Sequence, residues 1–134
     1  MKAIKFFVAT LLVAIMPAIF TSCDEKKTPT VVGTWEVIEA TVAYGSSQPY
    51  ETEEVGQIWK FDEVGALTVE GNVCEYAEVD SKLITSYAEL YQADHFVIKE
   101  LTWENMTIAA SYVKETKVGK EVITYTFKMK RLSE

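Results

Sequence analysis

Residues 123–130 read Ile-Thr-Tyr-Thr-Phe-Lys-Met-Lys, and apolar and polar side chains alternate at every position. Successive side chains of a β-strand point to opposite faces, so this pattern predicts an antiparallel strand with one face buried and the other in water. The buried face would carry Ile123, Tyr125, Phe127 and Met129. The C-terminal part of the chain is therefore predicted to belong to a sheet.

The rest of the chain after residue 31 also has the composition of strands. Residues 106–112 alternate in the same way, and the polar interval 114–120 predicts a turn that leads into the strand at 123. A hairpin is predicted at Trp59 and Phe61, which would face the core with Leu67 and Val69. The remaining strand-like segments are 33–43, 73–79, 83–87 and 95–101.

Two segments depart from simple alternation. Residues 33–43 carry adjacent apolar side chains at Val37 and Ile38, which predicts a β-bulge or a strongly coiled strand. Residues 88–91 have the composition of a helical turn but are too few to form a stable helix alone.

About eight short strands with short connections favour an all-β, antiparallel, up-and-down barrel, because closure removes both edges of the sheet. A β-sandwich is the alternative, although the short connections do not suit the crossovers of a Greek key.

The N-terminus has the pattern of a secretory signal peptide. Lys2 and Lys5 precede an apolar run of about fifteen residues, shorter than the roughly 20 residues that a membrane-spanning helix needs, and Pro17 interrupts it. We expect a signal peptide at 1–22, a flexible tether at 23–31 and one domain at 32–134.

Charge excludes some partners. Removing residues 1–22 leaves 11 Lys and Arg against 20 Asp and Glu, a net charge of about −9. Nucleic acid and anionic lipid headgroups both require basic surfaces, so we expect neither to bind by charge.

The order of several motifs resembles the lipocalin-like lipoproteins of Gram-negative bacteria. These motifs cover nearly all of residues 32–132: Gly33-Thr34-Trp35 at the first strand, the hairpin 59–69, the segment 96–102 and the terminal segment 125–131. The resemblance implies that Trp35 closes one end of the barrel and packs beside Arg131, which is a structural role.

The segment 20–23, Phe-Thr-Ser-Cys, resembles the lipobox of bacterial lipoproteins. The resemblance implies that Cys23 becomes the first residue of the mature protein and carries acyl chains, palmitate among them, which attach it to the bilayer. Asp24 and Glu25 favour the outer membrane of the cell envelope without indicating which face. Plain secretion, with Cys23 as an unmodified thiol, is the alternative.

No catalytic pattern is found, and we expect no enzymatic activity, metal or cofactor. His95 is the only histidine, no acid or thiol lies near it at a recognised ligand spacing, and no nucleophile elbow or phosphate-binding glycine run is present. Cys74 is expected to be a small buried apolar residue.

Two functions stay open. An eight-stranded barrel either holds one small ligand or is filled by its own side chains. The first hypothesis is a small apolar or amphipathic ligand bound in the barrel. The second is a packed barrel that binds an envelope protein or glycan through the loops 44–56 and 87–94. These loops would present an exposed contact surface of tyrosines: Tyr44, Tyr50, Tyr87 and Tyr91. The candidate ligand-lining residues, which equally suit a filled core, are Trp59, Phe61, Tyr76, Phe96, Tyr112, Tyr125 and Phe127.

Overall fold

The structure is a computed structural model that describes residues 28–132. The predicted signal peptide and Cys23 lie outside the described residues. Nine strands follow in chain order, with one 3-10 helix, Ser86–Tyr91, between β6 and β7. The strands are β1 Gly33–Tyr44, β2 Tyr50–Glu51, β3 Ile58–Phe61, β4 Ala66–Val69, β5 Asn72–Val79, β6 Lys82–Thr85, β7 His95–Leu101, β8 Asn105–Thr116 and β9 Gly119–Arg131.

The sheet closes on itself, which confirms the predicted barrel. From β3 to β9 each strand pairs with its neighbour in sequence, β3 also pairs with β1, and β9 returns to pair with β1. All of these pairings are antiparallel. Eight strands therefore form a closed up-and-down barrel, and the two-residue β2 adds only a short ladder beside β1.

The predicted irregularity of the first strand is a β-bulge. Lys128 pairs with Glu39 and Met129 pairs with Val37, so Ile38 has no partner in β9. The extra residue leaves both Ile38 and Glu39 facing outward, so the buried positions are odd-numbered up to Val37 and even-numbered from residue 40. Half of the Ile38 surface is exposed, while Val37 is buried.

The last hairpin is longer than the sequence pattern predicts. The polar interval 114–120 was expected to be a turn, yet the ladder continues to the pair Thr116 and Gly119 and leaves a two-residue turn at 117–118. Strand pairing extends because the outer end of this hairpin lies in solvent, where polar side chains fit both faces of a ribbon. Val118 at its tip is almost fully exposed.

The core fills the inside of the barrel with the side chains of alternating strand positions. Ile123, Phe127 and Met129 are buried as the opening pattern predicts, and Tyr125 is partly buried. Trp59, Phe61, Leu67 and Val69 are buried together, as expected for the first hairpin. Burial of large apolar side chains contributes about 1.5 to 3 kcal/mol each, so this interior is the main source of stability.

The two ends of the barrel differ in their connections. At one end, called the tether end, residues 28–32 meet the start of β1, the end of β9 and the turns 62–65, 80–81 and 102–104. At the other, called the loop end, lie the loop 45–57, the turns 70–71 and 117–118 and the connection 86–94 that contains the 3-10 helix. Within residues 28–132, no helix has both the length and the apolar character needed to cross a membrane.

Candidate functional site

The interior of the barrel is occupied by an aromatic cluster. Trp59 lies at its centre, with ring centroids 5.7 Å from Phe96 and 5.9 Å from Phe127, both in edge-to-face arrangement. These three side chains have no exposed surface. Aromatic pairs at this separation gain about 0.5 to 1.5 kcal/mol beyond their burial, so the cluster is a strong packing unit.

Four of the seven predicted lining residues are fully buried among one another: Trp59, Phe61, Phe96 and Phe127. Tyr76 extends this group, with its ring 5.0 Å from Phe61 in edge-to-face arrangement. Its hydroxyl donates to the carbonyl oxygen of Asp62 at 2.5 Å, which joins β5 to the turn after β3. The pKa of Tyr76 is raised, chiefly by burial and to a smaller extent by the negative charges of Asp62 and Glu78.

The other two predicted lining residues lie toward the loop end. The ring of Tyr125 is 4.9 Å from that of Tyr91, at the margin of the aromatic cluster. Tyr112 does not reach the cluster and instead borders a surface groove beside His95. The structure thus brings six of the seven residues into one interior group and leaves Tyr112 at the rim.

The tether end is closed by Trp35 and Arg131. The Arg131 guanidinium lies 4.2 Å from the centre of the Trp35 ring, and Trp35 is fully buried. The Trp35 indole N–H donates to the carbonyl oxygen of Val31 at 2.8 Å. Val31, which we assigned to the tether, is itself buried, so the domain's packed structure begins one residue before the predicted boundary of 32.

The loop end is closed by the 3-10 helix. Tyr91 at its last residue projects inward, with its ring 5.3 Å from Phe127 and 6.0 Å from Phe96. Tyr87 reaches Trp59 at 5.0 Å in edge-to-face arrangement. Thr85 begins the helix because its hydroxyl accepts a hydrogen bond from the Tyr87 N–H at 3.2 Å.

Tyr91 makes a polar contact at the edge of this closure. Its hydroxyl donates to Glu54 Oε2 at 3.0 Å, which connects the helix to the loop 45–57. Burial, followed by the negative charge of Glu54, raises the pKa of Tyr91 far above its usual value. Among the described residues, 28–132, Glu54 Oε1 is buried and has no hydrogen-bond partner, so Tyr91 is the main polar anchor of this carboxylate there.

Sequence reasoning assigned Tyr87 and Tyr91 to an exposed contact surface, and this assignment was wrong. Their spacing of four residues is typical of one face of a helical turn, and this spacing was the available signal that they face inward together. Tyr44 and Tyr50, which were assigned to the same surface, are exposed, with ring centroids 6.2 Å apart.

A groove of about 700 Å³ opens in the barrel wall between β5 and the 3-10 helix, and we call it the edge groove. It arises because β5 is longer than β6. Residues 76–79 of β5 pair with β6, whereas residues 72–75 pair only with β4. After Thr85 the chain leaves the sheet to form the 3-10 helix. Within the part of the chain that the structure describes, one edge of residues 72–75 therefore has no neighbouring strand.

The two remaining reactive side chains, Cys74 and His95, lie on different strands, β5 and β7. Cys74 is a free cysteine, partly buried, with its Sγ 3.4 Å from Thr85 Oγ1. His95 is partly buried at the start of β7. Over residues 28–132, no group of three or more His, Cys, Asp or Glu side chains is arranged to hold a metal ion.

Comparison of the chain with protein-family models, with curated proteins and with solved structures gives no match.

Proposed function

We propose that this protein is a lipid-anchored envelope lipoprotein whose packed, lipocalin-like barrel acts as an interaction module. This is the second of the two functions that the sequence leaves open. In it, the barrel is a rigid support, and its outer surface binds the partner.

One observation carries this choice. Five of the seven side chains that would line a ligand cavity contact one another at ring separations of 5.0 to 6.2 Å, and Trp59, Phe96 and Phe127 have no exposed surface. Arg131 and Trp35 cover one end of this cluster, and Tyr91 covers the other. A bound apolar molecule would have to displace Tyr91 or separate the rings, whereas an outer surface needs no rearrangement.

The position of the tether sets the orientation of the module. Thr28 and Pro29 lie beside Ser81 and Leu101 at the tether end. A lipid on Cys23 would be five residues before Thr28, so this end would face the bilayer. The loop end, with the exposed Tyr50, would face away from the membrane and toward partners.

Site-specific photo-crosslinking in intact cells tests the module. A photoreactive residue at Tyr50, which is 61% exposed at the loop end, should give discrete crosslinked proteins or glycans. The matched control is Val64, which is 88% exposed at the tether end and should give none of these products. The same products from both positions, or none from the loop end, would contradict the proposed orientation.

Cell fractionation tests the anchor. We expect Cys23→Ser to move the protein from the membrane fraction to the soluble fraction, because attachment then lacks its acyl chains. Cys74→Ser is the matched control, since it also removes one thiol but should leave the protein in the membrane fraction. A Cys23→Ser variant that stays with the membrane would contradict lipid anchoring.

A further inference from the structure

The free edge of β5 in the edge groove has the geometry of a site for strand addition. Tyr76 donates its main-chain N–H to Gly65, on the β4 side of the strand. Main-chain groups alternate in direction along a strand, so the amides of Val73 and Glu75 point the other way, into the groove. No strand of the described part of the chain pairs with residues 72–75 on that side.

The groove has the length and shape of a short extended segment. Four residues of β5 span about 13 Å, which matches about four residues of an added strand. Cys74 points inward and forms part of the floor with Thr85, whereas Val73 and Glu75 point outward. The side chains of an added strand would therefore alternate in direction. Small side chains would face the floor, and the others would point outward beside Val73 and Glu75.

The charge of the groove selects among occupants. Glu75, Glu89 and Asp94 line it, and no Lys or Arg side chain of residues 28–132 does. Two copies of this edge would bring Glu75 of one chain close to Glu75 of the other, which opposes pairing of the edge with itself. A segment with basic side chains at the outward positions would instead be attracted.

From these observations we infer that the edge groove binds an extended peptide segment of a partner protein, with Lys or Arg at alternate positions, as an added strand on β5. This inference rests on the proposed interaction function and names its partner class and its site. Main-chain hydrogen bonds to Val73 and Glu75 supply binding, and the acidic side chains supply the preference for basic sequences.

The test uses the full chain, isotopically labelled and purified in detergent micelles, and the acetylated, amidated peptide Thr-Lys-Ala-Lys-Val-Thr, whose two Lys side chains share one face of a strand. We expect saturable shifts of the Val73 and Glu75 amide signals, slower hydrogen exchange at both amides, and weaker binding at high salt. The same peptide with Glu in place of Lys should bind at least tenfold more weakly. Absence of binding, or binding without changes at Val73 and Glu75, would overturn the inference.

Val73→Pro removes an amide that is not used for pairing with β4, so an edge strand tolerates it. It should weaken peptide binding at least tenfold, whereas Val73→Thr, which keeps the amide, should stay within about twofold of the parent. Should Val73→Pro prevent folding, Glu75→Lys gives an independent reading, because reversal of the charge should weaken binding to a similar extent. Unchanged affinity in Glu75→Lys would count against the site.

Three other outcomes are distinguishable. Self-association of the chain that disappears in Val73→Pro would assign the edge to a second copy and overturn the assignment to a basic peptide. If native mass spectrometry shows no bound ligand and the peptide does not bind at the edge, the inference about the edge groove is overturned, and the packed-module proposal is not. A co-purified apolar ligand would overturn the packed-module proposal instead.

Discussion

The Arg131 guanidinium lies 4.2 Å from the centre of the Trp35 ring, and all three of its nitrogen positions also donate to main-chain carbonyl oxygens. Nη1 donates to Val32 at 2.6 Å, Nη2 to Thr30 at 2.7 Å and Nε to Trp103 at 2.5 Å. One cation thus connects the last strand to the first strand, to the segment that enters the domain and to the turn before β8.

Arg131→Lys should destabilise the domain although it keeps the charge. Lysine has a single ammonium group and cannot reach three carbonyl oxygens while stacking on an indole ring. Hydrogen bonds to a charged group contribute about 1.5 to 3 kcal/mol each, and the three bonds of one guanidinium are not additive. We therefore expect Arg131→Lys to lower the free energy of unfolding, measured by urea denaturation, by about 2 to 4 kcal/mol. Lys130→Ala, at the exposed neighbouring position, is the control and should change it by less than about 0.5 kcal/mol. Equal losses in the free energy of unfolding for the two variants would show that Arg131 does not close the tether end.

Gly33→Ala should also weaken the closure of the tether end, because Gly33 lies against Arg131. Gly33 has a φ of +138°, and a Cβ there would collide with Nη1 of Arg131. Gly119 is the matched control, because its φ of +133° is nearly the same, but a Cβ there would meet nothing within 4 Å. Both alanines carry similar backbone strain of about 1 to 3 kcal/mol, so the additional loss in Gly33→Ala measures the displacement of Arg131. We expect that additional loss to be at least about 1 kcal/mol in urea denaturation, and its absence would contradict the collision.

The sequence predicted the barrel because strand alternation is a local signal, and it is strong in residues 58–69 and 123–130. It also predicted the irregularity at Val37 and Ile38, since adjacent apolar residues cannot share one face of a regular strand. The role of Tyr91 was not predicted, because its contacts with Phe96, Phe127 and Glu54 join segments that are distant in the chain. The edge groove depends on β5 being longer than β6, a difference that alternation alone does not show.

The hydrogen bond between Tyr91 and Glu54 should appear as an energetic coupling. Tyr91→Phe and Glu54→Gln should each lower the free energy of unfolding, and the double variant should lose less than the sum of the two. We expect a coupling of about 1 kcal/mol in a double-mutant cycle, within the range found for contacting residues and at the lower end because the pair is partly exposed. Tyr50→Phe, at an exposed ring, should show no coupling to Glu54→Gln. Strict additivity for Tyr91 and Glu54 would show that the bond does not hold the 3-10 helix.

Alkaline pH should weaken the fold through Tyr91. Its pKa is raised in the folded state, chiefly by burial and then by Glu54, relative to an ordinary value of 10.0. An unfolded tyrosine loses its proton near pH 10 while folded Tyr91 keeps it, so its contribution to stability is complete below pH 10 and declines as the pH rises further. The free energy of unfolding should fall above pH 10 by at most about 1.4 kcal/mol per pH unit for this group. Tyr91→Phe should reduce the slope between pH 9 and 11, and an unchanged slope would exclude Tyr91 as its source.

Removing a buried ring should open a cavity inside the packed barrel. Phe127→Ala removes a fully buried ring that contacts Trp59, Tyr91 and Phe96, and we expect it to cost about 3 to 5 kcal/mol. If the variant folds, the space left should bind a small apolar probe such as benzene that the parent does not bind. Equal binding of the probe by the parent and the variant would show that the parent already has an accessible interior.

Native mass spectrometry of the protein purified from its membrane fraction tests the central claim most directly. We predict the mass of the polypeptide with its covalent acyl chains and no additional noncovalent species, because the aromatic cluster occupies the interior. A small apolar molecule that co-purifies in stoichiometric amount, and that Phe127→Trp excludes, would contradict the packed barrel and identify the protein as a carrier.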